Sequence, residues 1–189
     1  MGFTRAELQT YQGRSIPDLM PEYPRLVFAG INPGLWTAAT GVPFAYPGNR
    51  FYPALVAAGI IPRMPQIDAD GMAEADRRMI LDAGIGITSV VRRATARADE
   101  LSRAELREGA ERLARDVAGW QARVVAIAGL TAYRQGFERP RAVAGRQTER
   151  LGGAELWVVP NPSGLNAHAT VATLAAAYAE PARAAGVIA

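Results

Sequence analysis

Four short apolar or β-branched runs, at 25–29, 85–91, 123–128 and 156–159, are separated by segments whose apolar residues recur at helical spacing. Strands joined through helices are forced into crossover connections, which make neighbouring strands parallel. A parallel sheet needs cover on both faces, so its strands read as continuous apolar runs instead of alternating ones. The expected fold is therefore α/β, a three-layer sandwich. Its mostly parallel central sheet would have about four to five strands flanked by helices.

Local signals place the helices. Ser102 and Glu105 have the spacing of a capping box, and Leu106, Ala110, Leu113 and Val117 then share one face. Glu108 with Arg112, and Glu111 with Arg115, are spaced for ion pairs one turn apart. Asn49 is placed to cap a helix through Ala58 with Gly59 past its end, and Asp70 to cap another to Ala83. A last helix follows Thr170, turns Val171, Leu174 and Tyr178 inward, and ends or bends at Pro181. The stretch 139–153 reads as a polar surface loop. With 189 residues, no repeat and no long linker, one domain is expected, with an extension at 1–24 before a core at 25–183.

Composition narrows the chemistry by exclusion. Without cysteine there is no disulfide, Cys-ligated zinc or Cys-held iron–sulfur cluster, and the single histidine, His168, rules out a multi-histidine site. No metal or cofactor is expected. No window approaches the roughly 18 apolar residues of a membrane span, and the N-terminus lacks a signal-peptide core, so the expected location is cytoplasmic. All 21 basic residues are arginine and the net charge is +3. Guanidinium groups pair with phosphate in a planar, two-pronged geometry, which suits a polyanionic partner without demanding one.

Ligands of open parallel sheets bind where loops leave the C-terminal ends of strands. Two strands here run into loops that pair Asn with Pro and place Gly close by: Gly30-Ile31-Asn32-Pro33-Gly34, continuing LWTAATGVPFAYPGNRF, and Asn161-Pro162-Ser163-Gly164-Leu165-Asn166. Proline fixes such turns and glycine lets the backbone approach a ligand. Either loop alone could be an ordinary turn; two on one sheet point to a site.

These loops, with GITSVVRRATARADELS and AIAGLTAYRQGF between them, resemble the mismatch-specific uracil/thymine DNA glycosylases, family 2 of the uracil-DNA glycosylase superfamily. The resemblance spans about 26–178. It implies a monofunctional enzyme of base excision repair acting on double-stranded DNA with a mismatched or damaged base. A flipped uracil, and potentially thymine or ethenocytosine, would be cut from its sugar. By this resemblance Asn32 positions the attacking water, which an amide orients without deprotonating. Gly30, Ile31, Pro33, Gly34, Phe44 and Asn161 form the base pocket, with Phe44 as stacking ring. Gly34 stands where fast uracil-specific relatives carry a bulky ring, and Asn161 where they carry histidine. Ser163, Gly164, Leu165, Asn166 and His168 contact DNA, Leu165 as the wedge filling the gap left by the base. Asn166 and Ala167 depart from the Ser-Arg of other members, weakening the expected grip on the opposite strand.

Each residue also has a plainer reading. Asn32 can shape a turn, Phe44 can be core, His168 can be surface, and Asn49 and Arg50 can fix the loop. Asp99 is a candidate auxiliary carboxylate for the water, against a plainer role as negative charge near a helix N-terminus. The absence of lysine argues against strand cleavage through a Schiff base. A monomer is expected. A hydrolase built on Ser163 fits poorly, because N-P-S-G-L is not the nucleophile-elbow pattern. A non-catalytic DNA-damage binding module on the same fold is the remaining alternative.

Overall fold

The computed structural model describes residues 2–164 and 169–189. Five strands form the main sheet: β1 (Leu26–Gly30), β4 (Ile85–Ser89), β5 (Val124–Ala128), β6 (Gly145–Leu151) and β7 (Ala154–Val159), in the order β4-β1-β5-β7-β6. All pairings are parallel except β6 with β7. Each of the four expected runs supplies a strand of this sheet. Among the described residues no helix is long and apolar enough to cross a membrane.

The central strands are buried on both faces, and the period-2 alternation of strand side chains divides them between two cores. Leu26 and Phe28 face α3 (Phe51–Ala57) and α7 (Val171–Ala184), meeting Phe51, Leu55, Leu174 and Tyr178. Val27 and Ala29 face α5 (Arg103–Trp120) and α6 (Leu130–Gly136), meeting Leu106, Leu113, Val117 and Tyr133. The α5 cap is the expected one: Ser102 accepts from the Glu105 amide and Glu105 accepts from the Ser102 amide. Its exposed face differs from expectation. Arg112 turns to Asp116 and donates to the Ser89 and Val90 carbonyls, fastening α5 to the end of β4 instead of pairing with Glu108.

Several expectations need correction. The 139–153 stretch is not all loop, because β6 occupies most of its second half. Its burial alternates, and the inward position at Glu149 is polar, accepting from the Tyr133 hydroxyl at 2.8 Å and from Arg139 at 2.9 Å. Asp70 caps no helix. It lies in a hairpin between β2 (Ile67–Asp68) and β3 (Gly71–Met72), and α4 (Glu74–Asp82) begins four residues later, capped at Ala73. Pro181 does not end α7, which continues to Ala184. The N-terminal extension is tied down: α1 (Arg5–Gln9) precedes a segment in which Leu19 exchanges both backbone hydrogen bonds with Ile87 on the outer edge of β4.

Two carboxylates couple this fold to pH. The Arg93 guanidinium, with the Ser102 cap, holds Glu105 down to about 2, and the Tyr133 hydroxyl, with Arg139, holds Glu149 down to about 2. A carboxyl depressed by folding stabilises the native state above its unfolded pKa, and that stabilisation is lost as pH falls toward the folded value. The melting temperature should therefore drop as pH is lowered from about 4.5 toward 2. In Glu105→Gln and Glu149→Gln, thermal melts should show a shallower decline; unchanged steepness in both would contradict this assignment.

Candidate active site

Both proline loops open at the C-terminal end of the sheet, on strands β1 and β7, which flank β5. Loop one follows β1 and loop two follows β7. They border a single cavity of about 1220 Å³. Each loop is moored from below by a buried tyrosine. Tyr52 of α3 donates to the Pro43 carbonyl at 2.8 Å, and Tyr178 of α7 donates to the Pro160 carbonyl at 3.1 Å. Burial raises both phenol pKa values, so these hydroxyls remain donors.

The loops are also clasped to each other. Arg50 donates its amide to the Pro162 carbonyl at 3.0 Å and its guanidinium to the Gly164 carbonyl at 3.0 Å. A Cβ on Gly164 would sit 2.9 Å from the Gly48 carbonyl oxygen. Asn49 accepts from the Phe51 amide at 2.9 Å, but the cap of α3 is Arg50, one residue later than expected. Between the loops, Gly129 ends β5 at φ 141°, where a Cβ would lie 3.1 Å from Ile31 and 3.8 Å from the Asn161 amide nitrogen. Glycine at 129 is what lets Ile31 and Asn161 approach across β5.

Asn32 is held in one orientation. Its Nδ2 donates to the Arg93 carbonyl and to Thr95 Oγ1, both at 2.8 Å, and more weakly to the Pro33 carbonyl at 3.2 Å. Arg93 is in turn fixed by Glu105 at 2.8 Å, and the buried Thr95 donates onward to the Arg97 carbonyl at 2.7 Å. Because the nitrogen is spent on these acceptors, Oδ1 is the atom left to meet a donor in the cavity.

Phe44 has φ 56°, a left-handed conformation rare for a bulky residue. That backbone folds its ring against buried Phe51, with centroids 4.1 Å apart and an interplanar angle of 23°. The ring approaches Gly30, whose Cβ would be 3.1 Å from it, and also borders the cavity. One side is thus backed by core. At Gly34 a Cβ would meet no heavy atom within 4 Å, so the space there is open.

The remaining expected residues divide by position. Gly30, Ile31, Pro33, Asn161, Ser163 and Gly164 all border the cavity. Asn161 Oδ1 accepts from the Ser163 amide at 2.9 Å. Leu165, Asn166 and His168 lie outside the described residues. Asp99 borders the cavity in a 3-10 turn, exposed and bound in two prongs by Arg97 at 2.6 and 3.0 Å. That guanidinium holds its carboxyl below the ordinary Asp range.

Four bordering residues escape a sequence reading: Asp18, Thr88, Arg92 and Thr95. Asp18 accepts from Thr88 Oγ1 at 2.7 Å and from Arg92 at 2.8 Å, a carboxylate brought to the site by the extension through the Leu19–Ile87 pairing. For Thr95, the run VVRRATAR offers no periodic signal that would single it out from its neighbours.

Comparison with known proteins bears on this arrangement. The family model described as the uracil DNA glycosylase superfamily matches residues 17–181. Among solved structures, the chain is similar to the solution NMR structure of a "putative Uracil DNA glycosylase" from Methanosarcina acetivorans. The TM-score is 0.56 at 18% identity, over 88% of this chain and 98% of that one. At that identity the likeness speaks for the fold.

Proposed function

Since the chain belongs to the uracil DNA glycosylase superfamily, we propose that it is a monofunctional, mismatch-directed DNA glycosylase of base excision repair. It would hydrolyse the N-glycosidic bond of a flipped uracil in double-stranded DNA and leave an abasic site. The observation that carries this reading is the fixed Asn32 amide facing the same cavity as the core-backed Phe44 ring.

Breaking this bond builds positive charge on the sugar and negative charge on the departing base. Phe44 offers a face on which an extruded base stacks. Asn32 Oδ1 accepts a hydrogen from water and aims its lone pair at the sugar carbon. No proton is taken from the water by the amide, so the water attacks a centre already made electron-poor by base departure. The proton it sheds once the C–O bond has formed passes to solvent as the departed base anion is protonated. Asn161, whose Oδ1 accepts from the Ser163 amide, borders the cavity and is assigned to the wall of the base pocket. Asp99, engaged by Arg97, would act on the water only on leaving that partner, and its low basicity suits electrostatic support of a cationic sugar better than proton abstraction. Ser163, Gly164 and, beyond the described residues, Leu165, Asn166 and His168 are assigned to the DNA backbone and the gap left by the base. No lysine is present for a lyase step, and the enzyme is proposed to act as a monomer.

Open space at Gly34 supports a pocket that does not reject a 5-substituent by shape. Selection then rests on how readily the base leaves its pair, which favours mismatched and damaged bases. Gly34→Tyr should remove excision from G·T and ethenocytosine duplexes while uracil excision from G·U persists. Equal loss on all three substrates would contradict the assignment of Gly34 to the 5-position.

A further inference from the structure

The cavity exceeds the 300–1,000 Å³ typical of a site for one small ligand, and its rim carries aromatic rings that the reaction above does not use. Trp36 and Tyr46 both border it, with centroids 6.3 Å apart at 89°. Phe3 of the N-terminal segment packs edge-on against the other side of Trp36 at 5.1 Å. Tyr46 is 58% exposed, so one side of its ring is accessible from solvent. Phe3 also meets Tyr11 at 6.4 Å, and the Arg14 guanidinium lies 4.7 Å above the Tyr11 ring. Arg50, which donates to the Gly164 carbonyl, and Arg97, which is paired with Asp99, also border the cavity. An exposed Tyr46 backed by a half-buried Trp36, with arginine nearby, is a surface on which an unpaired base stacks while the backbone runs past cations.

We propose that Trp36 and Tyr46 form a stacking step that takes a second, unpaired nucleobase, adjacent in the same strand to the one seated on Phe44. This rests on the glycosylase reading for the identity of the strand, but it is a separate binding function with its own readout. A stacking step of this kind holds the strand open beside the flipped nucleotide and gives the protein affinity for single strands lacking any uracil.

The test uses the full-length protein and two probes: oligothymidylate, and an abasic oligomer of the same length with the same phosphates and no bases. Binding is followed by intrinsic tryptophan fluorescence and by anisotropy of labelled oligomer. The wild type is expected to bind oligothymidylate about tenfold more tightly than the abasic oligomer and to show quenching on binding. Tyr46→Ala should cut that preference several-fold, leaving what the Phe44 face supplies, and Tyr46→Phe should restore it. Trp36→Phe should remove the quenching while keeping the affinity. Equal affinity of the wild type for both probes, or an unchanged preference in Tyr46→Ala, would overturn the proposal. So would a Tyr46→Ala defect confined to excision of ethenocytosine, which would assign the rim to a bulky target base. Neither probe carries a cleavable uracil. Stacking can thus succeed or fail independently of excision, which is measured separately on G·U duplexes.

Discussion

Asn32→Ala is expected to lower the single-turnover rate of uracil release from a G·U duplex by about 10²- to 10³-fold, the range seen when one preorganised hydrogen-bonding group is removed from a reacting centre. Binding to the duplex should persist, because Phe44 and the DNA-facing residues are untouched. The substitution also removes the contacts to the Arg93 carbonyl and Thr95 Oγ1, so loss of tethering must be told apart from loss of the water acceptor. Thr95→Val separates them: it deletes one tether and keeps the amide. A small loss in Thr95→Val beside a large one in Asn32→Ala identifies Oδ1 as the working atom. Equal losses would make Asn32 a loop brace. Asn32→Asp is expected to fall below wild type at neutral pH. Its second carboxylate oxygen would face the Arg93 carbonyl, where the amide now donates at 2.8 Å.

Gly129→Ala should have the second-largest effect, although residue 129 touches no substrate in this account. At φ 141° any side chain is strained, by roughly 1–3 kcal/mol for a residue forced into a sparsely populated region. The added Cβ would also press on Ile31 at 3.1 Å, and Ile31 directly precedes Asn32 in the chain. Shifting a catalytic group by about 1 Å can cost about a hundredfold in rate. Excision should accordingly fall on that order, with a lowered melting temperature. A variant that melts lower but turns over normally would show that the spacing across β5 is not what positions loop one.

The fold was legible where burial is uniform and caps are local. Central strands such as 26–30 and 124–128 have only apolar company to seek, so their runs are unbroken, and the Ser102–Glu105 cap depends on four residues alone. Strand β6 was hidden because its inward positions are satisfied by hydrogen bonds instead of apolar contact, as Glu149 shows. The β2–β3 hairpin is two residues per strand, too short for any alternation to register. In the site, the residues within the two loops could be found because Asn, Pro and Gly are each there for a backbone reason. Asp18, Thr95, Tyr52 and Tyr178 could not. Each reaches the site through a contact between elements that no local pattern encodes, from Tyr52 to Pro43 across nine positions to Asp18 to Thr88 across 70.

The central claim is tested most directly by mixing excess wild-type protein with a duplex holding one G·U mismatch, in EDTA, and cleaving abasic sites with alkali. The account predicts strand breaks only at the uracil, formed slowly and dependent on Asn32, with none before alkali. Tight binding to that duplex with no alkali-labile site at any time would contradict it and leave a damage-binding protein on a glycosylase fold.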